Sequence, residues 1–444
     1  MNSIKSLLKS TVPASLRRKF RETAGVASWY SQWFAARSLI FLNQRKAHSY
    51  LPGTFLIVPS DLGEIVGSRG DDAMVSTAIG EAIKRNKACQ IGILTTRKEL
   101  PESICIDGVT AETITPVSGI WAYFRILRKY HSVGFIGADI LDGHYSVVEA
   151  LRAWVFADIA ARAGRLSFVI GSSFSSHPDA RLRPVLSRLS AALTVNVRDL
   201  TSLKAFQREG GKGGRLVSDS AFLLSPAPTG RDQAFVDEWC AAQRNDGKLV
   251  MGFNIHPMVF LDLDPAKVAA LITSTVEALG ELSKRYEVAL LLVPHDFRDS
   301  NRGDLAALDP LFDALSEIPG LSAAIVRAPA RAGELKSIVD RVDVLVTGRM
   351  HLGVAALSMG VPVWAISPQD KFAGLFEHFG LSDQRLVPDD ALDAQVLSDF
   401  LFSVASSWES TRDKVRTALP YVKELAAKNF ESLDRLVSIG QADA

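Results

Sequence analysis

The sequence predicts an α/β protein with two doubly wound domains that face a cleft. Its 444 residues are too many for one ordinary hydrophobic core. Short apolar runs alternate with longer helical stretches, which is the rhythm of βαβ units and mainly parallel sheets. The rhythm stops once, near residue 226, and then restarts, so we expect two domains rather than one.

The first half begins this rhythm after residue 53. Its apolar runs predict six strands, at Phe55–Pro59, Gln90–Leu94, Val133–Gly137, Ser167–Gly171, Thr194–Val197 and Arg215–Val217. Helical stretches, such as Asp71–Lys87 and Ser146–Ala163, lie between most of them. We therefore expect a first Rossmann-like domain at residues 53–225.

The second half repeats the pattern after a break. Prolines and a glycine in Ser225–Gly230 disfavour regular structure, so we expect a linker at residues 226–248. A second Rossmann-like domain at 249–392 is predicted by five more strands, at Leu249–Phe253, Val288–Val293, Ala323–Val326, Val342–Thr347 and Val361–Ile366. Helices are expected near 265–285, 304–317, 331–340, 350–359 and 370–379. The C-terminal residues 393–444 have a helical pattern, with a break near Pro420.

Composition excludes several function classes. The formal net charge is +1 and charged residues make up 22%, which is typical of a soluble globular protein and gives no sign of nucleic-acid binding. The three cysteines form no CxxC pair, so neither a zinc site nor a redox motif is indicated, and a reducing cytoplasmic setting fits best. No convincing signal peptide or membrane-spanning run is present.

The N-terminal arm, residues 1–52, differs from the rest of the chain in charge. Residues 1–46 hold nine Lys or Arg and one acid, a net charge of +8, which leaves −7 for the remainder. Aromatic residues follow the first basic cluster, among them Trp29, Trp33 and Phe34. Two interpretations stay open: the arm lies on an anionic membrane surface, or it is a helix packed on the body of the protein.

Candidate binding residues follow the strands of the first half. A glycine-rich loop ends in Gly70 and Asp71, where a helix start favours an anion, but it matches neither a Walker loop nor a dinucleotide fingerprint. Asp139 follows the third predicted strand, and Arg198 the fifth. A simple turn with Asp71 as helix cap explains the glycine-rich loop equally well, and a capped turn also suits Asp139. For Arg198, an ion pair with the neighbouring cap residue Asp199 is favoured on local evidence.

The second half brings three histidines to strand ends. His256 follows Asn254 after one strand, His295 follows the next, and His351 lies two residues beyond Arg349 after a third. Carboxyl ends of parallel strands share one edge of a sheet, so these side chains are expected to meet. The spacing matches no zinc signature, and Arg349 would repel a cation. An anionic ligand is therefore predicted, with histidine available for proton transfer. Ser367 and Lys371 follow the last strand and can reach the same pocket.

Taken in order, these residues resemble the polysaccharide pyruvyl transferase family. The resemblance runs from about residue 55 to 380 and is carried by short motifs: Gly70-Asp71, Gly137-Ala-Asp139, Arg198-Asp199, Asp219-Ser-Ala-Phe222, Pro294-His295, Thr347-Gly-Arg-Met-His351, Ala356-Leu-Ser-Met-Gly-Val-Pro362 and Lys371. The block around Arg349 and His351 is the most specific of them.

The resemblance implies a GT-B-like fold and a transfer of pyruvyl from phosphoenolpyruvate to two hydroxyls of a sugar, forming a cyclic ketal. It implies no metal and no cofactor beyond this donor. The acceptor would be a polysaccharide or a lipid-linked precursor. Arg349 and Arg198 would hold donor anions, His351 would bind phosphate or move a proton, and His295 or His256 would handle a second proton. Asp71 and Asp139, in the first half, would present the sugar.

Two other functions remain open. A GT-B glycosyltransferase using a nucleotide-sugar would need an acidic ribose-binding residue, for which Glu377 is a candidate. A non-catalytic family member could instead bind glycans or serve as a scaffold through its basic arm.

Overall fold

The computed structural model describes residues 14–42, 51–115, 117–260, 264–298, 303–367, 371–381 and 384–436. The chain divides into two compact units. The first unit comprises Met1–Gly63, Glu81–Leu216 and Asn429–Ala444, and the second comprises Glu64–Gly80 and Val217–Lys428. Two excursions along the chain therefore depart from the predicted domain boundaries: the glycine-rich loop belongs to the second unit, and the C-terminal residues return to the first.

The first unit contains a seven-stranded sheet with parallel neighbours. Its strands are β1 (Leu51–Val58), β2 (Gln90–Thr95), β3 (Val109–Thr113), β4 (Tyr130–Ile136), β5 (Leu166–Ser172), β6 (Thr194–Val197) and β7 (Gly214–Leu216). Their order is β3-β2-β1-β4-β5-β6-β7. All six predicted strands are present. The seventh, β3, was missed because it is a largely half-exposed edge strand without an apolar run.

Helices cover this sheet, and the first of them comes from the N-terminal arm. They are α1 (Ala14–Leu42), α2 (Arg69–Arg85), α3 (Ile120–Leu127), α4 (Val147–Arg162), α5 (Arg183–Leu186) and α6 (Leu200–Arg208), of which α2 crosses from the second unit into the first.

One face of α1 is part of the core of the first unit. Trp29 and Trp33 are buried there, and Nε1 of Trp33 donates to Oδ2 of the fully buried Asp158 at 2.7 Å. The packed-helix interpretation of residues 14–42 therefore holds for this face; residues 1–13 and 43–50 of the predicted arm lie outside the described residues. Within the described ranges, no helix is long and apolar enough to cross a lipid bilayer.

The second unit contains a six-stranded parallel sheet. Its strands are β8 (Leu249–Asn254), β9 (Val288–Leu292), β10 (Ser322–Ile325), β11 (Val344–Thr347), β12 (Val363–Ile366) and β13 (Arg385–Leu386), in the order β10-β9-β8-β11-β12-β13. The helices are α7 (Gln233–Asn245), α8 (Pro265–Ser283), α9 (Leu305–Ser316), α10 (Ala332–Val339), α11 (Met350–Ser358), α12 (Lys371–Glu377) and α13 (Ala394–Ala427).

Two sequence predictions in this unit were wrong. The predicted linker at 226–248 contains α7, which buries Val236 and Cys240 in a core cluster of the second unit. The predicted break at Pro420 is absent, because α13 continues through this residue. A proline inside a helix removes one backbone donor, and the packing of Val415 and Val422 in the core outweighs that loss.

After α13, the chain forms a 3-10 helix at Lys428–Leu436. Asn429 is fully buried in the first unit, where its Oδ1 accepts a hydrogen bond from the backbone N–H of Gly171 at 2.8 Å. Asp434 pairs with Arg85 and Glu431 with Arg215. These contacts explain why the end of the chain belongs to the first unit.

We expect Trp33→Ala to lower the free energy of unfolding of the first unit by about 3–5 kcal/mol, because it opens a core cavity and removes a donor from buried Asp158. Urea denaturation followed by far-UV circular dichroism measures this loss. Phe34→Ala is the matched control: this neighbouring aromatic is 50% exposed, and its loss should stay below about 1 kcal/mol. Equal losses would contradict the packing of α1.

Candidate active site

The strand order of the second sheet reverses between β8 and β11, which lie side by side with Asn254 opposite Thr347. In open α/β sheets, ligands bind beyond the carboxyl ends of the strands at such a switch point. Here those ends lead to His256 after β8, to His295 after β9, and to Arg349 and His351 after β11. The structure therefore brings the predicted residues of this half to one edge of one sheet.

A buried carboxylate, Asp304, connects these strand ends. One oxygen, Oδ1, accepts hydrogen bonds from Nε and Nη2 of Arg349 at 3.0 and 2.5 Å. The other, Oδ2, accepts from Nδ2 of Asn254 at 2.9 Å and from the backbone N–H of His295 at 2.8 Å. Asp304 is fully buried. Burial raises the pKa of Asp304, but the Arg349 guanidinium and these donors outweigh it and hold that pKa below its usual range.

This network changes the predicted roles of two residues. Asn254 is fully buried, and its amide also donates to the carbonyl of Val293 and accepts from the hydroxyl of Thr347. It holds the strand ends together, so a substrate-binding role is not supported. Arg349 has two of its three nitrogens on Asp304, so its guanidinium serves first to neutralise a buried carboxylate.

His351 lies in the first turn of α11, a helix whose cap residue is Arg349. Its Nε2 lies 3.6 Å from Oδ2 of Asp219. The ring also faces Gly70: a methyl group added there would lie within 2.8 Å of Nδ1, Cε1 and Cγ of His351. The ring therefore lies between the carboxylate of Asp219 and the backbone of Gly70, which carries no side chain. All three residues belong to the second unit.

Gly70 and Asp71 lie at the start of α2. The hydroxyl of Ser68 accepts from the backbone N–H of Asp71 at 3.1 Å and donates to its carboxylate at 2.7 Å. Ser68 therefore caps α2, whereas the sequence predicted Asp71 as the cap. Asp71 makes a local contact at the helix start, and its placement in the second unit separates it from the predicted acceptor side.

His256 and His295 are both buried, and both are neutral near neutral pH. Burial lowers the pKa of His256 to about 4 and that of His295 to about 3, and the nearby Arg349 guanidinium lowers both further. Neither is therefore suited to give a proton as an imidazolium, which counts against the predicted role in a second proton transfer. His256 packs against Gly348, while His295 faces a cavity.

That cavity lies in the second unit in front of His351. It is a small cavity of roughly 20 Å³, partly open to solvent, and is lined by Arg69, Ala73, Ala221, Leu224, His295, Ala332, Leu335, Lys336, His351, Leu352 and Ala355. None of these described lining residues is acidic. Nε of Arg69 has no hydrogen-bond partner among the described residues, although it is buried. The arrangement suits an anion.

Sequence reasoning missed Lys336, which is 2% exposed and lines this cavity. Its ammonium donates to the carbonyls of Phe222 and Leu224, on the chain segment that follows Asp219. Burial lowers the pKa of Lys336 to about 7, and Lys423 lowers it further. A single lysine among apolar neighbours on α10 gives no sequence signal, and neither does Asp304. Asp219 and Arg69, in contrast, lie in the motif and the loop already noted.

The last predicted residues of this half are only partly described. Ser367 is buried after β12, and its N–H donates to the carbonyl of Leu386. Residues 368–370 and the side chain of Lys371 lie outside the described part, so the predicted binding roles of Ser367 and Lys371 stay predictions.

Arg198 and Asp139 belong to the first unit. Arg198 is 6% exposed, and its Nη2 donates to the hydroxyl of Ser173 at 2.8 Å. Asp139 accepts a hydrogen bond from the hydroxyl of Tyr145 at 3.2 Å. The preceding residue, Ala138, has a φ of +42°, a backbone angle that favours glycine. Gly137 permits close approach of β5, since a methyl there would lie within 2.8 Å of the Ser172 backbone.

The first sheet has its own switch point, between β1 and β4. A small cavity of roughly 20 Å³ lies there, lined by Val58, Pro59, Ser60, Leu62, Tyr123, Ile140, Glu149, Arg152, Ala153 and Phe156. The hydroxyl of Tyr123 is buried without a hydrogen-bond partner among the described residues, and Arg152 forms an ion pair with Glu149. In the described part of the chain, no group of three or more His, Cys, Asp or Glu residues is placed to hold a metal ion.

Comparison with known protein families shows which family the chain belongs to. The sequence profile described as polysaccharide pyruvyl transferase matches residues 114–370, more than half of the chain. The chain belongs to the polysaccharide pyruvyl transferase family. The matched range includes Asp139, Arg198, Asp219, His295 and the block of Arg349 and His351, whereas Gly70 and Lys371 lie outside it. No curated protein matches the chain in sequence.

Solved structures share the fold at low sequence identity. A protein described as a UDP-N-acetylglucosamine 2-epimerase from Listeria monocytogenes is 10% identical with a TM-score of 0.56, covering 85% of this chain and 94% of that one. A UDP-GlcNAc 2-epimerase from Neisseria meningitidis is 13% identical with a TM-score of 0.53, covering 86% and 100%. An α,α-trehalose 6-phosphate synthase from Burkholderia multivorans is 11% identical with a TM-score of 0.50, covering 88% and 100%. The predicted GT-B-like fold of this pyruvyl transferase family member is thereby confirmed.

We expect Gly70→Ala to displace the His351 ring, because the new methyl group would occupy its place. Histidine side-chain resonances in NMR spectra would report the shift, and the free energy of unfolding should fall by about 1–3 kcal/mol. Gly80→Ala, on the same helix, is the control: its added Cβ meets nothing within 4 Å, so stability should hold or rise by up to about 1 kcal/mol. An unchanged His351 resonance in Gly70→Ala would refute the contact.

Proposed function

We propose that this protein transfers a pyruvyl group from phosphoenolpyruvate to two hydroxyls of a sugar, forming a cyclic ketal on a polysaccharide or its precursor. The observation that carries the proposal is the cavity in front of His351, which is lined by two basic residues and two histidines, and by no acidic residue among those described. It is bounded by His295 and His351, which follow β9 and β11 at the carboxyl edge of the second sheet, in a chain of the pyruvyl transferase family.

Phosphoenolpyruvate carries a carboxylate and a phosphate, and both need cationic partners. Arg69 supplies such charge at the cavity, and Lys336 adds to it where the pH lies below its pKa of about 7. The start of α11 adds backbone N–H groups that favour an anion, beside His351. Arg349 acts beneath them as a positioning residue, because its bonds to Asp304 fix the residues on either side of the switch point.

The chemistry needs two additions to C2 of the donor. In the first, C3 takes a proton, a sugar oxygen bonds to C2, and the hydroxyl proton passes to a base. In the second, another hydroxyl bonds to C2 while the C2–O bond to phosphate breaks, and its proton leaves with phosphate or on a base. His351 is the residue that we assign to these proton transfers, because it lines the cavity and its Nε2 lies 3.6 Å from the carboxylate of Asp219.

Phosphate leaves with the electron pair of the C2–O bond, so the reaction needs no oxidant or reductant, and we propose no cofactor beyond the donor. The acceptor sugar is proposed to bind at the switch point of the first sheet, where Tyr123, Glu149 and Arg152 offer hydrogen-bonding groups at a cavity. Asp139, at the end of β4, remains a candidate on that side. A lipid-linked acceptor and a cytoplasmic setting are consistent with the use of phosphoenolpyruvate.

The direct test incubates the protein with phosphoenolpyruvate and candidate glycans or lipid-linked sugars. We expect phosphate release together with the mass gain of a pyruvyl ketal. His351→Gln should slow phosphate release by at least ~100-fold, the usual contribution of a positioned proton-transfer group. His177→Gln, an exposed histidine of the first unit, should leave the rate unchanged.

Two results would overturn this proposal. One is a wild-type protein that shows no heat of binding for phosphoenolpyruvate in calorimetry. The other is saturation by a nucleotide-sugar with sugar transfer, which would favour the glycosyltransferase alternative; the Neisseria epimerase was solved with UDP-GlcNAc bound, although the likeness to it shows the fold alone.

A further inference from the structure

The outward face of α1 exposes an unusual amount of apolar surface. Six of the sixteen large hydrophobic residues that are strongly exposed in the described part of the chain lie in this one helix: Leu16, Phe20, Phe34, Leu39, Phe41 and Leu42. Phe20 is 77% exposed and Phe41 is 71% exposed. Single exposed apolar residues are ordinary, but a concentration on one helix marks an interaction surface.

Most of these residues share one side of the helix. Each residue of an α-helix advances about 100° around the axis, so Leu16, Phe20, Phe34 and Phe41 fall within an arc of about 60°. The buried residues of α1 fall within another arc on the opposite side: Trp29, Trp33, Ala36 and Ile40. One face of α1 therefore anchors it to the first unit, and the opposite face exposes these four large apolar side chains together with Thr23, Ala27 and Ser38.

The anchoring face is firmly fixed by polar contacts as well. Tyr30 donates to the carbonyl of Arg181 at 2.6 Å, and the side-chain oxygen of Gln32 accepts from the backbone N–H of Ile120 at 2.9 Å. Trp33 adds its bond to Asp158. With the helix held in this orientation, its apolar side faces away from the core of the first unit.

Charge indicates what covers this face. Residues 1–46 carry a net charge of +8, whereas the remainder of the chain carries −7. Exposed Lys19 and Arg21 lie in α1 on either side of Phe20. Apolar side chains flanked by basic residues on a helix parallel to a surface are typical of binding to anionic membranes, where the apolar groups enter the headgroup boundary.

We propose that α1 docks the protein on an anionic lipid bilayer, with the face of Leu16, Phe20, Phe34 and Phe41 turned to the lipid. This surface, which we call the α1 lipid face, does not depend on the proposed reaction. It would bring the protein to the membrane whatever sugar it modifies.

Vesicle co-sedimentation of the full chain tests the proposal. We expect the protein to bind phosphatidylcholine vesicles that contain phosphatidylglycerol and to bind weakly to vesicles of phosphatidylcholine alone. Binding to the anionic vesicles should fall with added salt. Phe20→Ser combined with Phe41→Ser should lower the partition coefficient by roughly tenfold or more, since both rings leave the bilayer boundary. Lys19→Glu combined with Arg21→Glu, which lowers the net charge of residues 1–46 from +8 to +4, should weaken the preference for anionic lipid.

The matched control replaces exposed aromatic residues outside α1, with Phe235→Ser and Tyr421→Ser, which lie in α7 and α13. This variant should bind vesicles as the wild type does. Melting temperatures of all variants should agree with the wild type, because the replaced residues are solvent-exposed.

Three outcomes would overturn the α1 lipid face. The wild type could fail to bind anionic vesicles. The Phe20→Ser/Phe41→Ser variant could melt at a lower temperature, which would show that another part of the chain covers this face. Light scattering could show a wild-type dimer that the same variant dissociates, in which case a second copy is the partner.

Discussion

The ion pair between Asp304 and Arg349 is the constraint on which the candidate site depends. Asp304 is fully buried, and its two oxygens bond to groups that follow three different strands: Asn254 at the end of β8, the backbone of His295 after β9, and Arg349 after β11. A buried carboxylate without a cation is costly, and removing one partner of such a pair typically destabilises a protein by about 3–5 kcal/mol. The pair therefore fixes the spacing of the strand ends that form the floor of the site.

This pairing also determines where charge remains available. Because Arg349 and Asp304 neutralise each other and His256 and His295 are neutral, the charge offered to a ligand at the cavity comes from Arg69, and from Lys336 where the pH lies below its pKa of about 7. His351 is held separately, by Asp219 on one side and by the bare backbone of Gly70 on the other. Different residues therefore fix the strand ends, supply positive charge and carry the proton. Each of these three groups can be mutated without removing the other two.

Much of this arrangement follows from the sequence, for physical reasons. Parallel strands that are buried on both faces appear in the sequence as apolar runs, so most of the strands could be located. Because the carboxyl ends of parallel strands meet at one edge of the sheet, His295, Arg349 and His351 could be placed together. The edge strand β3 and helix α7 lacked clear signals, because β3 is half exposed and α7 follows a proline-rich segment. Asp304 and Lys336 were missed because their roles arise from burial, and an isolated acidic or basic residue in the sequence gives no sign that it is buried. Gly70 was selected as part of a glycine-rich loop at an anion-favouring helix start, whereas in the structure its missing side chain leaves room for the ring of His351.

The central claim is that phosphoenolpyruvate binds at the carboxyl edge of β8 and β11, in front of His351. A crystal structure of the protein with phosphoenolpyruvate tests it most directly. We predict that the phosphate or the carboxylate of the donor lies within hydrogen-bonding distance of His351 and Arg69, with Arg349 still bonded to Asp304. Donor density elsewhere in the protein, or an Arg349 that leaves Asp304 to bind the donor, would contradict this account.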